Sequence, residues 1–382
     1  MLHFSEDEFA RRRSLLQETM VERKLDAMLL FSQESMYWLT GYDTFGYCFF
    51  QCLVFKANGE MALLTRSADL RQARHTSNIE NIVIWTDTAT AHPARDLRDL
   101  LDNMGLLGAS IGVEYDTHGL TAANGRSVDD ILRTFAELQD TSSMIANLRT
   151  IKSAEEIKYI KKAAKGADEA LDAAIKLTKA GADEGKILAA MQSAVFENGG
   201  DYPANEFVIG SAEDALLCRY KAGRRKLTKN DQLTLEWAGT FAHYHVAMMR
   251  TLVIGKPKPE HETHFEAARD ALLAVEDAMR PGNTFGDVFD AHAMALDEAG
   301  LTRHRLNACG YSLGARFSPS WMDMPMFYRN NEHLISPDMS LFAHMIIMDS
   351  ESGAAMCLGQ TYLTTEGKPK SLSRHGLDFI TL

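Results

Sequence analysis

The chain has 382 residues, of which 46% are hydrophobic and 24% are charged, so it is long and apolar enough for two packed domains. Its formal net charge is −12, and an acidic surface repels phosphate backbones, which argues against nucleic acid as a partner. The composition also argues against intrinsic disorder.

The first residues, MLHFSEDEFARRR, lack the apolar run that a signal peptide needs. No stretch approaches the roughly 18 uninterrupted apolar residues of a membrane span. We therefore predict a cytoplasmic protein with no membrane partner.

The five cysteines are odd in number and scattered, which favours packed thiols over a disulfide framework. Cys48 and Cys52 have no second pair with which to complete a zinc site.

Residues 1–148 alternate helical patterns with short apolar runs, which is typical of an α/β domain. Helices are predicted over 9–24 and 94–104. The apolar runs are bounded by turn residues, as expected for buried strands, and lie at 27–31, 52–55, 61–64, 82–85 and 111–114.

The pattern changes near residue 150. Ser153 and Glu156 form an S-x-x-E capping box, which predicts the start of a long helix. Alanines and lysines continue this helix to Lys179, and Gly181 ends it. We therefore place the domain boundary between 148 and 152, and the second domain at 152–382.

The second domain contains an internal repeat. Residues 179–199 match residues 280–300 at a constant offset of 101, and three glycine pairs keep this register. Because glycines are tied to particular backbone geometries, the match favours a true duplication over a chance similarity between two helices. A duplicated domain has two related halves, with a site expected in the cleft between them.

One polar segment of the second domain is DQLTLEWAG, at 231–239. Glu236 lies there between the apolar Leu235 and Trp237. A buried carboxylate must be paired or have a raised pKa, and a raised pKa is how a general base or acid is made. The alternative is a structural glutamate bonded to an arginine such as Arg250.

Three further segments carry candidate polar groups. Strand alternation puts His243 and His245 on one face, where a structural or substrate contact is more typical than a two-ligand metal site. The run GYSLG at 310–314 fits the letters of G-x-S-x-G, but prolines follow instead of the helix that a serine nucleophile needs. His344 is a lone polar residue in an apolar strand, and both a core role and a catalytic role stay open.

These segments, in this order, resemble the creatinase and aminopeptidase P superfamily, also called M24 or "pita-bread" proteins. The similarity extends over nearly the whole chain and includes YWLTGY at 37–42, which resembles a strand of the family's N-terminal domain, and segments at 152–157, 231–239, 249–251, 280–282, 310–314 and 336–339. The resemblance implies an α/β N-terminal domain followed by an α+β pita-bread catalytic domain with an internal pseudo-twofold repeat.

The peptidases of this superfamily bind two metal ions through two aspartates, one histidine and two glutamates. Carried over by this resemblance, those positions fall on Glu236, Ala247, Tyr311, His344 and Gly359. Only Glu236 and His344 can donate to a metal, and divalent sites normally need three or more ligands. We therefore predict a metal-independent protein without a cofactor.

The metal-free members of the superfamily, such as ectoine hydrolase and creatinase, are the more similar ones. The shared stretches are GGDYPA at 199–204, EWAG at 236–239, the 244–251 strand and CGYS at 309–312. One departure is Arg219, which stands where both enzymes carry a histidine that creatinase uses for proton transfer. Arginine cannot act as a base, since its pKa is above about 12.

The resemblance and the residues together predict a hydrolase that cleaves a C–N bond in a small amino-acid-like molecule, such as a cyclic amidine, guanidine or amide. Glu236, His344 and Tyr311 are the predicted catalytic residues. The predicted substrate-binding residues are Arg219, Lys221, His245 and Tyr202, with Tyr37, Trp38 and Phe45 reaching the site from a partner subunit of a homodimer. The alternatives are an Xaa-Pro dipeptidase or aminopeptidase with a degenerate metal site, and a non-catalytic metabolite-binding protein.

Overall fold

The computed structural model describes residues 2–219 and 225–382, and the chain forms two compact units, Met1–Arg149 and Thr150–Leu382. We call them unit 1 and unit 2. Among the described residues, no helix is long and apolar enough to cross a membrane.

Unit 1 is an α/β domain, and six strands of its described part form one sheet in the order β4-β3-β2-β1-β5-β6. The strands are β1 (Ala27–Leu30), β2 (Cys52–Lys56), β3 (Met61–Arg66), β4 (Asn81–Trp85), β5 (Ser110–Val113) and β6 (Glu137–Asp140). The helices are α1 (Glu6–Glu22), α2 (Gln33–Thr40), α3 (Leu70–Thr76), α4 (Pro93–Asn103), α5 (Ala122–Leu132) and α6 (Met144–Leu148). Apolar side chains form one core cluster on each face of this sheet.

The predicted strands of unit 1 are confirmed to within one or two residues. The segment at 37–42 was wrongly predicted as a strand, because residues 37–40 are the end of helix α2 and Gly41 is its C-terminal cap. Helix α2 is buried along its whole length, so it shows no alternation of polar and apolar residues. It ends at Gly41, whose φ of 81° suits the left-handed C-terminal cap of a helix. At its start, the Glu114 carboxylate accepts hydrogen bonds from the backbone N–H groups of Phe31 and Ser32, at 3.1 and 3.0 Å.

Unit 2 consists of two halves that each have two helices followed by strands, and the second half has one additional strand, Asp323–Met326. The first half contains α7 (Ala154–Leu177), α8 (Glu184–Glu197), β7 (Val208–Ser211), β8 (Asp231–Phe241) and β9 (Tyr244–Ile254). The second half contains α9 (Pro259–Ala278), α10 (Phe285–Glu298), β10 (Gly310–Ser312), β11 (Asp323–Met326), β12 (Ser340–Asp349) and β13 (Ala354–Leu363), and β14 (Lys370–Ser371) follows.

The sheet order of unit 2 shows the pseudo-twofold relation between the halves. Strands β7-β8-β9 of the first half meet β13-β12-β10 of the second, in the reverse order, and β9 pairs with β13 at the junction. Helices α8 and α10 begin and end at positions related by the offset of 101. Gly181 and Gly282 have φ values of 83° and 98°, and Gly199 and Gly300 both have 76°. The predicted internal repeat is therefore confirmed.

Helix α7 begins with the predicted capping box, formed by Ser153 and Glu156. It packs directly on β8, where a Cβ added to Gly239 would collide with the Ala163 carbonyl oxygen. The indole N–H of Trp237 donates to the Ala167 carbonyl at 2.9 Å, so Trp237 faces the helix. Because side chains alternate along a strand, Glu236 faces the opposite side of the sheet.

Candidate active site

The open face of the sheet in unit 2 carries a cavity of about 630 Å³, and Glu236 on β8 lies in its wall. Glu236 pairs across the strands with Met249, Met249 with Gly359, and Gly359 with His344. Residues paired in this way point to the same face of a sheet. Tyr311 on β10 pairs with Phe342, two residues before His344, so it shares that face. The sheet thus brings together the three predicted catalytic side chains, all of which line the cavity.

Burial raises the pKa of Glu236 to about 7, although the nearby Arg219 charge and a hydrogen bond from Tyr311 both act to lower it. The structural alternative, an ion pair with Arg250, is not what the structure contains. Arg250 donates instead to the Met249 and Gly359 carbonyls, at 2.8 and 2.6 Å, and to Gln360. Glu236 is therefore a cavity carboxylate that changes its protonation near neutral pH.

Tyr311 is held in one hydrogen-bonding orientation. The indole N–H of Trp321 can only donate, and it donates to the Tyr311 oxygen at 2.9 Å. The phenol proton of Tyr311 is then directed to Glu236, whose Oε1 lies 3.3 Å away. Burial and the Glu236 carboxylate raise the pKa of Tyr311 well above its usual value, so the phenol acts as a hydrogen-bond donor.

His344 is 8% exposed, and its Nδ1 has no hydrogen-bond partner among the described residues. Burial lowers the pKa of His344 to about 4, with a further contribution from the Arg219 charge. Its ring centroid lies 5.7 Å from that of Tyr311. His344 is thus a neutral imidazole at pH 7, able to donate through one nitrogen and accept through the other.

Arg219 and Tyr202 line the outer part of the cavity. Both are exposed, Tyr202 to 81%. The Arg219 guanidinium lies 3.9 Å from the Met322 sulfur and, within residues 2–219 and 225–382, has no carboxylate at ion-pair distance. Tyr202 packs edge-on against Phe196, with ring centroids 4.9 Å apart. Lys221, the other basic residue predicted to bind substrate, falls outside the described residues.

Strand alternation predicted that His243 and His245 lie on one face of a strand. The structure differs, because only His245 belongs to a strand. His243 lies in the turn before β9 with φ 64°, and its ring stacks on Phe317 at 4.2 Å. His245 is fully buried and absent from the cavity lining. Its Nε2 accepts a hydrogen bond from the Ala204 N–H at 2.9 Å, and its Nδ1 lies 3.5 Å from the Gly314 carbonyl. This buried position argues against the predicted direct contact with substrate.

Two of the three aromatic residues predicted to reach a partner's site are buried in unit 1. Tyr37 and Trp38 are 0% and 1% exposed, and the Tyr37 hydroxyl bonds His3 Nδ1 at 2.7 Å. Such side chains cannot extend into another subunit without unfolding α2. Phe45 is 79% exposed and is free to do so. The homodimer itself stays a prediction.

Sequence reasoning missed Trp321, which orients Tyr311. It lies between Pro319 and Pro325 in a segment without helical or strand periodicity, so the sequence carries no local signal for its role. Ser312, in the GYSLG run, is a strand residue that is 1% exposed and does not line the cavity. Its position gives no support to a serine nucleophile.

The donor set does not fit a two-metal centre. No group of three His, Cys, Asp or Glu side chains that could hold a metal ion occurs in the described parts of the chain. Ala247 is buried and has no donor side chain. A Cβ at Gly359 would lie 2.8 Å from the Phe342 ring and 2.9 Å from the Met249 Cβ, so apolar groups fill the space of a fifth ligand.

Comparisons with known proteins agree with this fold. The model of metallopeptidase family M24 matches residues 158–366, and that of the creatinase/prolidase N-terminal domain matches residues 12–151. Ectoine hydrolase of Halomonas elongata is 26% identical over 362 residues, covering 89% of each chain. The Xaa-Pro dipeptidase of Pyrococcus furiosus is 24% identical over 238 residues, covering 62% of this chain and 67% of that protein.

Two solved structures show the same fold. The prolidase of Thermococcus sibiricus superimposes with a TM-score of 0.88 at 19% identity, covering 99% of this chain and 100% of that one. A dipeptidase of Pyrococcus horikoshii OT3 gives 0.84 at 22% identity, covering 97% and 100%. Together with the family models, these matches show the predicted two-domain creatinase-type architecture. The chain belongs to metallopeptidase family M24, a family of hydrolases, and carries an N-terminal domain of the creatinase and prolidase type.

Proposed function

We propose that the protein hydrolyses a C–N bond in a small amidine, guanidine or amide that carries a carboxylate, and that it does so without a metal ion. The observation that supports this most is Glu236. It stands at a metal-ligand position of the family, but its only direct polar partner in the described site is the Tyr311 hydroxyl. A carboxylate with a pKa of about 7 in a cavity is suited to general base catalysis at neutral pH.

In the proposed reaction, Glu236 takes a proton from a water molecule as the water oxygen bonds to the central carbon of the substrate. The hydrogen bond from Tyr311 holds the carboxylate in place during this step. The neutral His344 stabilises the tetrahedral intermediate by a hydrogen bond. Glu236 then returns the proton to the leaving nitrogen and the C–N bond breaks. The products are an amine together with an amide from an amidine, a urea from a guanidine, or a carboxylic acid from an amide. Water is the only co-reactant, and the carboxylate ends the cycle ionised.

Arg219 supports the choice of a substrate with a carboxylate. Within residues 2–219 and 225–382, it is the one positively charged side chain that lines the cavity. A guanidinium can bind a carboxylate through two parallel hydrogen bonds. A substrate that places its carboxylate at Arg219 and its scissile C–N bond at Glu236 would be a compact amino-acid derivative. Similarity to ectoine hydrolase over 89% of the chain favours a cyclic amidine of this kind.

The test is turnover of a substrate panel. The purified protein is incubated with ectoine-type cyclic amidines, guanidino acids, small amides and Xaa-Pro dipeptides, and products are followed by mass spectrometry as a gain of one water. We expect gain of water in a carboxylate-bearing amidine, guanidine or amide. Hydrolysis of Xaa-Pro dipeptides alone would favour the degenerate peptidase. Binding of panel members without any product would favour a non-catalytic metabolite-binding protein.

A further inference from the structure

One wall of the cavity is a loop without regular secondary structure, at residues 201–205, which we call the wall loop. Tyr202, Pro203, Ala204 and Asn205 all line the cavity. Such a loop has no ladder of its own, so its position depends on hydrogen bonds from neighbouring elements. The partners of these bonds therefore decide the shape of the site.

The wall loop is fixed first at its base. The backbone N–H of Asp201 donates to the Thr240 carbonyl at 3.1 Å. The Asp201 carboxylate accepts from the backbone N–H of His243 at 3.2 Å. The first bond joins the loop to the end of β8, and the second joins it to the turn between β8 and β9.

His245 supplies the support at the centre of the loop. The Ala204 N–H can only donate, so Nε2 of His245 is the acceptor of their 2.9 Å hydrogen bond and the ring proton is on Nδ1. That proton faces the Gly314 carbonyl at 3.5 Å, and the backbone N–H of His245 donates to the same carbonyl at 3.2 Å. Gly314 belongs to the second half of unit 2. One neutral imidazole thus links the wall loop of the first half to the second half.

The far end of the wall loop connects to the catalytic carboxylate. The Asn205 side-chain oxygen accepts from the backbone N–H of Trp321 at 3.0 Å. Trp321 in turn donates to Tyr311, and Tyr311 donates to Glu236. A displacement of the loop would therefore also move Trp321 and Tyr311, and with them the hydrogen bond to Glu236. The ring centroids of His245 and Trp321 lie only 6.3 Å apart, which places both supports of the loop in one cluster.

We propose that His245 is a positioning residue of the active site, which holds the wall loop at a fixed distance from Glu236 through its hydrogen bond to Ala204. The role belongs to the acceptor at Nε2, and a side chain that keeps an acceptor there should preserve it. This inference rests on the proposed function for its kinetic consequence, but its structural part can be tested without any substrate.

The substrate-free test is hydrogen–deuterium exchange of peptides that cover residues 201–206. Three variants are compared with the wild type: His245→Leu, which removes both ring nitrogens; His245→Gln, which keeps an acceptor; and His261→Leu as the matched control. His261 is also buried and bonded through both ring nitrogens, to Gln232 and to the Lys258 backbone, but it does not line the cavity or contact the loop.

We expect exchange in the 201–206 peptides to become roughly 10-fold faster or more in His245→Leu. It should stay within about 3-fold of the wild type in His245→Gln and His261→Leu. Equal protection of the loop in His245→Leu and the wild type would overturn the proposal. A general increase in exchange over the whole of unit 2 would also overturn it, because His245 would then be a core residue only.

The kinetic test uses the substrate that the wild type hydrolyses. His245→Leu should lower kcat/KM by roughly 10- to 100-fold, mainly through KM, because the substrate-binding wall is displaced more than the reacting groups are. His245→Gln should restore most of that loss, and His261→Leu should leave both constants near the wild-type values. Unchanged kinetics in a His245→Leu variant with an unprotected loop would contradict the positioning role. If the wild type hydrolyses nothing, the proposed function fails, and the exchange experiment still decides the structural claim.

Discussion

The Glu236→Gln variant should lose turnover by roughly 100-fold or more, the range typical of a removed general base. Glutamine keeps the shape of the side chain and its contact with Tyr311, but it cannot take a proton from water. The measurement is kcat on the substrate found in the panel.

The melting temperature of Glu236→Gln should stay level with that of the wild type or rise above it at pH values above 7. Burial raises the pKa of Glu236 from 4.5 to about 7 in the folded protein, so the wild type loses stability as pH rises from about 4.5 to about 7. Above that pH the loss is complete, and the glutamine variant does not carry it.

The matched control is Glu184→Gln. Glu184 is a fully buried glutamate of unit 2, bonded to the Ser211 hydroxyl, and it does not line the cavity. Its substitution should leave kcat near the wild-type value. Wild-type turnover in a folded Glu236→Gln variant would remove Glu236 from the mechanism and pass the role of base to His344.

The pH profile provides a second check on Glu236. A base is active when ionised, so kcat/KM should rise with pH, with a midpoint of about 7, and level off above it. His344, whose pKa is about 4, should add no step between about pH 5 and 9. A rate that is constant over that range would contradict the assignment.

The second large effect is expected for Arg219→Gln, which should raise KM by roughly 10- to 100-fold, the value of hydrogen bonds to a charged group. Among the described residues, Arg219 is the one positively charged side chain that lines the cavity. Without it, no described cation of the cavity wall can bind a substrate carboxylate. Arg219→Lys keeps the charge but loses the two-point geometry, so its KM should lie between those of Gln and the wild type.

Arg219→Gln should also move the pH profile. The arginine charge lowers the pKa of Glu236, so its removal raises that pKa and shifts the midpoint of kcat/KM upward. The control is Arg329→Gln, an exposed arginine of unit 2 that lies 3.8 Å from Asp290 and outside the cavity. A KM unchanged in Arg219→Gln would contradict carboxylate binding at this position.

Local signals in the sequence predicted much of the fold. The capping box at Ser153 and Glu156 is present as expected, because it depends on residues only three positions apart. The glycine register of the repeat matched the structure, because left-handed φ values at Gly181 and Gly282 restrict which residues can stand there. Helix α2 was missed because it is buried on all sides, and its composition cannot be distinguished from that of a buried strand.

The candidate site could be predicted only in part. Glu236 and His344 were identified because they are polar groups on apolar strands, and Tyr311 because the resemblance places it at a metal-ligand position of the family. The sequence could not show that Arg250 bonds to backbone carbonyls, since that depends on the pairing of β9 with β13. Nor could it show Trp321, which is brought to Tyr311 by a segment without regular structure.

The central claim is that this M24 chain acts without the family's metal ions. The most direct test combines elemental analysis of the purified protein with turnover after exhaustive dialysis against a chelator, and again after addition of zinc, manganese, cobalt or iron. We predict far less than one metal ion per chain and the same kcat in all samples, because Ala247, Tyr311 and Gly359 offer no carboxylate or imidazole donor. Stoichiometric metal, with turnover abolished by the chelator and restored by one of these ions, would contradict the account.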